Sequence, residues 1–203
     1  MPDLAKDGVT HQTFDERYRS GEAPWEIGRP QPEVVALADS GFFTGRILDI
    51  GCGTGENALM LAARGLDVFG IDQVESAVQS ARDKAQQRRL SAQFKVHDAL
   101  KLSDLATTYD TVLDSAVFHG FSDEQRPIYA AGIATVLRPG GRMAMICFSD
   151  AETREGGPRR VSQAEIRATF ANGWAIEDIR PIRYHATLFD DGARCWLTSI
   201  RRI

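Results

Sequence analysis

One short stretch, Asp49-Ile-Gly-Cys-Gly-Thr-Gly55, constrains this chain more than any other. It follows an apolar run, residues 46–50, that reads as a strand, and it leads into residues 56–64, which read as a helix closed by Gly65. Gly51, Gly53 and Gly55 alternate, and the missing Cβ atoms let a ligand lie against the backbone. The first turn of the following helix offers unpaired N–H groups to a carboxylate. A dinucleotide fingerprint needs a further glycine where Glu56 stands, and an anion there repels a pyrophosphate. A plain strand-to-helix turn needs no alternating glycines, so Gly51, Cys52, Gly53 and Gly55 are read as a ligand-binding loop.

From residue 46 onward, short apolar runs alternate with longer helical patterns. Strands are expected at 67–71, 93–96, 109–113 and 142–148, with helices at 74–89 and 123–137 and a turn at 139–141. Strands separated by helices call for a parallel sheet with right-handed crossovers. The tail breaks the rhythm. A helix at 162–170, with Ser162 and Glu165 spaced as a capping box, precedes two strands, 174–180 and 195–201, with Phe189–Gly192 between them. Strands in direct succession make a hairpin, hence an antiparallel edge. Residues 151–160 are polar and glycine-rich and are expected to form a mobile loop. Near the start, Phe14 and Tyr18 share a helical face, prolines and glycines interrupt residues 24–32, and a helix is expected over 32–40.

The chain has 203 residues, which suits one doubly wound domain. A net charge of −4 argues against a broad nucleic-acid footprint. No apolar run reaches the roughly 20 residues of a membrane span, and residues 1–10 lack a signal pattern, so the expectation is a cytoplasmic protein. Cys52, Cys147 and Cys195 show no paired spacing for a disulfide framework or zinc.

Further candidates follow the strand ends. Asp72 closes the second strand, where an acid accepts from ribose hydroxyls or caps the next helix. Asp98 and Ala99 close the third, placed to meet an adenine ring or to form an ordinary turn. Asp114, Ser115, Phe118 and His119 follow the fourth strand at the crevice where the sheet reverses direction. Asp114 could face a cation or cap a turn. Phe118 could wall a pocket. His119 could serve as a general base or simply position or pack.

The ordered set Asp49–Gly55, Asp72, Asp98-Ala99, Asp114 and Leu137-Arg-Pro-Gly-Gly141 resembles class I S-adenosylmethionine (SAM)-dependent methyltransferases. Phe14-Asp-Glu-Arg-Tyr18 and Pro24-Trp-Glu-Ile-Gly-Arg-Pro30 are similar to the thiopurine and tellurite-resistance type enzymes, and closer to bacterial methyltransferases of heterocyclic toxins, quinolones and natural products. The resemblance implies an α/β, Rossmann-like doubly wound sheet of seven strands, mostly parallel, ending in an antiparallel hairpin. It implies that residues 1–40 cap the cofactor and acceptor pocket, with Tyr18 and Trp25 covering the cofactor. It places Asp49 and the glycine loop at the methionine part, Asn57 near its carboxylate, Asp72 at the ribose, Gln73 along the adenosine, and Asp98 with Ala99 at the adenine. Asp114 and Ser115 fall beside the cofactor, Phe118 and His119 beside the acceptor.

The expected activity is therefore methyl transfer from SAM to an oxygen, nitrogen or sulfur of a small molecule, leaving S-adenosylhomocysteine. The acceptor is expected to be a heterocyclic, phenolic or thiol compound. Asp114-Ser-Ala-Val stands where nucleic-acid amino methyltransferases carry a Pro-Pro-Tyr motif, so nucleic acid is not expected as a partner. Nor is a membrane or a metal; the oligomeric state is left open. Arg154, Arg159 and Arg160 are read as solvated loop charges or as anchors for an anionic acceptor. Two other readings remain: a non-catalytic SAM-binding sensor or scaffold, and a nicotinamide-dependent oxidoreductase, which Glu56 weighs against.

Overall fold

The computed structural model describes residues 11–203, and residues 1–10 lie outside it. Two helices, α1 (His11–Ser20) and α2 (Pro32–Asp39), precede β1 (Arg46–Ile50). Then come α3 (Glu56–Ala63), β2 (Asp67–Asp72), α4 (Glu75–Arg88) and β3 (Gln93–Val96). A 3-10 segment, Ala99–Leu105, leads to β4 (Tyr109–Ser115), and a single 3-10 turn, Phe118–Gly120, leads to α5 (Gln125–Val136) and β5 (Leu137–Phe148). The chain ends with α6 (Gln163–Thr169), β6 (Trp174–Ala186) and β7 (Phe189–Arg202). The seven strands form one sheet in the order β3-β2-β1-β4-β5-β7-β6. β1 to β5 run parallel, and β7 is antiparallel to both its neighbours.

Local chemistry sets the element ends. Pro32 occupies the first turn of α2, where its missing N–H removes no helical bond. Ser162 and Glu165 form the expected capping box on α6. β1 sits mid-sheet and is covered on both faces, as parallel strands are. Its alternation splits the core: Ile47 packs with apolar residues of α2, α3 and α4, while Leu48 and Ile50 pack with those of α5 and α6. Asp49 interrupts this apolar strand and faces the first side by the same alternation. No helix among the described residues is long and apolar enough to cross a membrane.

Two stretches differ from expectation. Residues 138–141 are not a turn ahead of a strand but part of β5. Leu137 already pairs with Tyr109, and a bulge before the Thr111–Arg142 pair absorbs the extra residues. Phe189–Gly192 likewise belongs to β7, because Ala186 pairs with Phe189 and a register shift between Tyr184 and Ala186 takes up the surplus. Glycine at 141 is a packing requirement. A Cβ there would stand 2.9 Å from both the Arg138 and Asp110 carbonyl oxygens and 2.6 Å from the Leu137 side chain. Backbone atoms cannot swing aside, so Gly141→Ala is expected to lower stability by about 1–3 kcal/mol, read as a lower urea midpoint with an unchanged slope.

Candidate active site

β1 and β4 are neighbours, yet the chain leaves β1 towards β2 and leaves β4 towards β5. Their carboxyl ends therefore open a crevice at the switch point, where doubly wound sheets bind ligands. The glycine loop forms its floor. Gly51, Gly53 and Gly55 all have positive φ, at 65°, 54° and 89°. The loop is tied down by the Cys52 N–H donating to the Ile71 carbonyl at 2.9 Å.

Asp72 holds the loop from the side. One carboxylate oxygen accepts the Gly53 N–H at 3.0 Å and the other accepts the Val74 N–H at 2.9 Å. The same group thus secures the loop and the start of α4. Burial raises its pKa despite these bonds. Asp114 is sealed from solvent and fully used: it accepts the Val117 N–H at 2.8 Å and the Tyr129 hydroxyl at 2.7 Å. It caps the turn after β4, and burial raises its pKa to about 6. Next to it, Ala116 adopts a φ of 78°, a left-handed conformation uncommon for a residue with a Cβ. Strain of this kind gathers at functional sites.

Asp49 is different. It is 1% exposed, and neither carboxylate oxygen has a hydrogen-bond partner among the described residues. The Ala58 N–H of α3 acts on it from outside hydrogen-bonding geometry. Burial first, then the nearby Asp114 and Asp72, push its pKa up to about 8. Ser115 also has a buried, unpartnered hydroxyl; it lies against Tyr184 without reaching bonding geometry.

Residues 18–31 roof the crevice. The Trp25 indole N–H donates to the Tyr18 hydroxyl at 2.9 Å, and Phe14 and Tyr18 meet the Trp25 ring edge-on at 5.5 and 5.7 Å. Glu26 accepts the Thr54 N–H at 3.3 Å and also the Thr54 hydroxyl, so a carboxylate already sits at the start of α3. Gln31 locks this strap to β6: its side-chain amide donates to the His185 carbonyl at 2.9 Å and accepts the His185 N–H at 3.1 Å. The Asn57 side chain accepts the Gln31 N–H at 2.9 Å. Tyr18, Trp25, Gly51, Gly53, Asn57 and Ser115 line one pocket, together with Glu26, Arg29, Gln31 and Tyr184. The last four escaped the sequence reading. Gln31 and Tyr184 acquire their positions only through contacts across most of the chain, which no local pattern records.

Other expected residues take different places. Asp98 caps the 3-10 segment by accepting the Leu100 N–H at 2.9 Å, with Ala99 as its first residue, and Gln73 follows β2 on the surface. Phe118, expected as a pocket wall, is wholly buried against Tyr129, Phe170 and the Arg126 guanidinium. The His119 Nδ1 accepts the Phe148 N–H at 3.2 Å, so that lone pair is committed. Residues 151–160 are cross-linked rather than left to solvent. Arg154 binds Glu152 and Asp191, Arg159 binds Asp123 and Glu165, and Arg160 donates to main-chain carbonyls. Glu56, where a dinucleotide loop carries glycine, pairs with Lys84 and Arg88, each at 2.9 Å.

Comparison with known proteins agrees with this geometry. The sequence profile of the methyltransferase domain family matches residues 47–141. A 2-heptyl-1-hydroxyquinolin-4(1H)-one methyltransferase of Mycobacteroides abscessus is 35% identical over 192 residues, covering 88% of this chain and 84% of that protein. A solved protein described with the conversion of a disulfide bond into a thioacetal group during echinomycin biosynthesis superposes with a TM-score of 0.85 and 36% identity, over 95% of this chain and 93% of that one. The 1,6-didemethyltoxoflavin-N1-methyltransferase of Burkholderia thailandensis, solved with its substrate and S-adenosylhomocysteine, shares the fold at a TM-score of 0.74 and 20% identity, over 96% and 87% of the two chains. The chain belongs to the class I SAM-dependent methyltransferases. Within them it resembles the enzymes of small and heterocyclic molecules.

The raised pKa of Asp49 has a consequence for stability. In the unfolded chain the group titrates near 4, so between about pH 4 and 8 the folded state holds its proton more tightly. Its contribution is most favourable below pH 4 and is lost as pH rises towards 8. Asp49→Asn removes this loss. The ligand-free variant is expected to gain on the order of 3 kcal/mol over wild type between pH 5 and 8, measured by urea unfolding at the two pH values. Parallel pH profiles for the two proteins would count against a protonated Asp49.

Proposed function

We propose that this protein transfers a methyl group from SAM to an oxygen, nitrogen or sulfur atom of a small heterocyclic, phenolic or thiol molecule. The observation that carries the reading is the unpartnered Asp49 carboxylate, buried beneath a glycine loop at the switch point of the sheet. A buried carboxylate in that place suits a cationic ligand, and SAM carries both an ammonium and a sulfonium. A second observation concerns the other end of the same ligand. Glu26 sits on the Thr54 N–H, which marks the start of α3 as a carboxylate site.

In this reading Gly51, Cys52, Gly53 and Gly55 hold the methionine part, Asp49 offsets its positive charge, and Asn57 lies towards its carboxylate. Asp72 takes the ribose hydroxyls with lone pairs that the Gly53 and Val74 N–H groups leave free. Asp98 and Ala99 meet the adenine, Gln73 runs along the adenosine, and Asp114 with Ser115 closes the side towards the acceptor. Tyr18 and Trp25 form the cover. A Cβ at Gly53 would lie 2.8 Å from Glu26 and 2.9 Å from the Tyr18 hydroxyl, so the strap rests on the loop and has to lift for entry. Residues 11–40, the described part of the expected cap, act with the rest of the chain as one domain. SAM supplies an already activated methyl; the protein aligns the partners and excludes water, and alignment alone can be worth about 7–11 kcal/mol. The Mycobacteroides relative is named for 2-heptyl-1-hydroxyquinolin-4(1H)-one, which supports a heterocyclic acceptor.

The decisive test is mass spectrometry of products after incubation with SAM and a panel of quinolones, phenols, thiopurines and dithiols. A gain of one methylene on an acceptor is the expected result. No gain on any of them, with SAM binding confirmed by calorimetry, favours a cofactor-binding sensor or scaffold. Asp72→Ala is expected to weaken SAM binding by about 1–3 kcal/mol in a protein whose circular dichroism is unchanged. Unaltered affinity would remove Asp72 from the site.

A further inference from the structure

The carboxyl end of β5 carries a cluster that cofactor binding does not use. Two groups flank the Phe148 ring: His119, edge-on with centroids 5.2 Å apart, and the Arg160 guanidinium, 5.4 Å from the ring centre. His119 Nδ1 accepts the Phe148 N–H at 3.2 Å. A nitrogen that accepts carries no hydrogen, so the neutral ring has its hydrogen on Nε2. Among the described residues Nε2 has no partner, and it is not among the buried unpartnered atoms. The ring is thus set up to give a hydrogen bond to whatever lies beside it, and a proton could be taken up only by a nitrogen already in use.

The charges around it act in the same sense. Arg160 is held by the carbonyls of Glu152, Arg154, Gly156 and Pro158 and has no carboxylate partner among the described residues. Arg126 faces His119 from α5. It is 3% exposed, with one nitrogen on Glu165 at 2.8 Å and its Nε and other Nη unpartnered. Arg159 shares Asp123 and Glu165 with it. Arg126 and Arg159 are thus paired with these two carboxylates, and Glu124 stands near Arg159, so the charges that act on His119 itself are the Arg160 and Arg126 guanidiniums. Burial, reinforced by Arg160 and Arg126, pushes the His119 imidazole down to about 3. A base so weak takes little part in proton transfer near neutral pH.

We infer that the acceptor enters this site already ionised, as an acidic hydroxyl or thiol, and that His119 donates its Nε2 hydrogen to that anion instead of removing a proton. The inference rests on the methyltransferase reading and replaces the general-base role expected for His119. In such a transfer the anion's lone pair forms the new bond to the methyl carbon, while the electron pair of the broken carbon–sulfur bond stays on sulfur. The cationic donor and anionic acceptor give two products each one charge closer to neutral, and no proton is left over.

The test is the pH dependence of kcat/KM for wild-type protein with a series of hydroxylated or thiolated nitrogen heterocycles of graded acidity. The acid limb is expected to follow each acceptor's own pKa, moving one unit for one unit. His119→Gln keeps a hydrogen-bond donor, so it should leave the limb of each acceptor in place while lowering kcat/KM by roughly tenfold, about 1.4 kcal/mol. A limb fixed at one pH for every acceptor, or abolished in His119→Gln, overturns the inference and leaves the methyltransferase reading standing. No methylation of any acceptor, with cofactor binding intact, overturns both.

Discussion

Desolvation of carboxylates at the carboxyl ends of β1, β2 and β4 is the constraint around which the site is arranged. Asp49, Asp72 and Asp114 are all at most 8% exposed, and each would lose several kcal/mol if left ionised without partners. The sheet resolves two of them with main-chain donors. Asp114 uses the turn it caps and the Tyr129 hydroxyl; Asp72 uses Gly53 and Val74. These bonds are also what fix the glycine loop and the chain after β4, so the shape of the crevice follows from satisfying the acids. Asp49 alone of the three is left without a donor. In the proposed reading burial keeps this group protonated until the cationic cofactor arrives, which couples occupancy of the crevice to a proton.

The roof follows similar logic. The start of α3 presents N–H groups that need an acceptor, and Glu26 of the strap provides one while Lys84 donates to the same Thr54 hydroxyl at 2.6 Å. The strap is therefore attached at unlike places, with Pro24 also accepting the Thr187 N–H at 2.8 Å and Asn57 accepting the Gln31 N–H at 2.9 Å. At Glu26 it rests on a site that suits a ligand carboxylate; at Gln31 it is paired with the His185 backbone, away from the loop. In the proposed reading the incoming carboxylate replaces Glu26 like for like, so opening exchanges one charge-assisted contact for another instead of exposing an empty helix end.

The parallel half of the sheet was legible because its signals are local: apolar runs of strand length, helical spacing between them, and alternating glycines at the first turn. The strand ends carried Asp49, Asp72 and Asp114 for the same reason, since position in a doubly wound fold is set by the strand itself. Bulges were not legible. Pro139 and the glycines at 140 and 141 look like a turn in sequence, yet Leu137 pairs with Tyr109 and draws them into β5. Side-chain duties that depend on distant partners were also hidden. Gln31 looks like one polar residue between two prolines until His185 is beside it. Phe118 and His119 are adjacent, but one turns into the core against Phe170 and the other out towards Phe148. Residue type alone allowed a wall for Phe118 and a base or a packing residue for His119; the environment makes Phe118 a core residue and commits His119 Nδ1 to the Phe148 N–H.

A net charge of −4 conceals a division across the crevice. Asp72 and Glu26 place carboxylates on the side at β1 and β2, Asp49 adding charge only once it ionises, while Arg126 and Arg160 stand at His119 on the side beyond β4. In the proposed reading such a field draws the cationic cofactor and the anionic acceptor to opposite walls. It also suits the chemistry inferred for the pair. When a cation and an anion react to give products of lower charge, charge shrinks along the reaction path, and a poorly hydrated crevice disfavours the separated reactants more than the transition state. Closing Trp25 and Tyr18 of the strap over the crevice would then exclude water and lower the local dielectric in the same movement. On this account the cover and the divided field contribute to the same rate, and neither is a matter of binding alone.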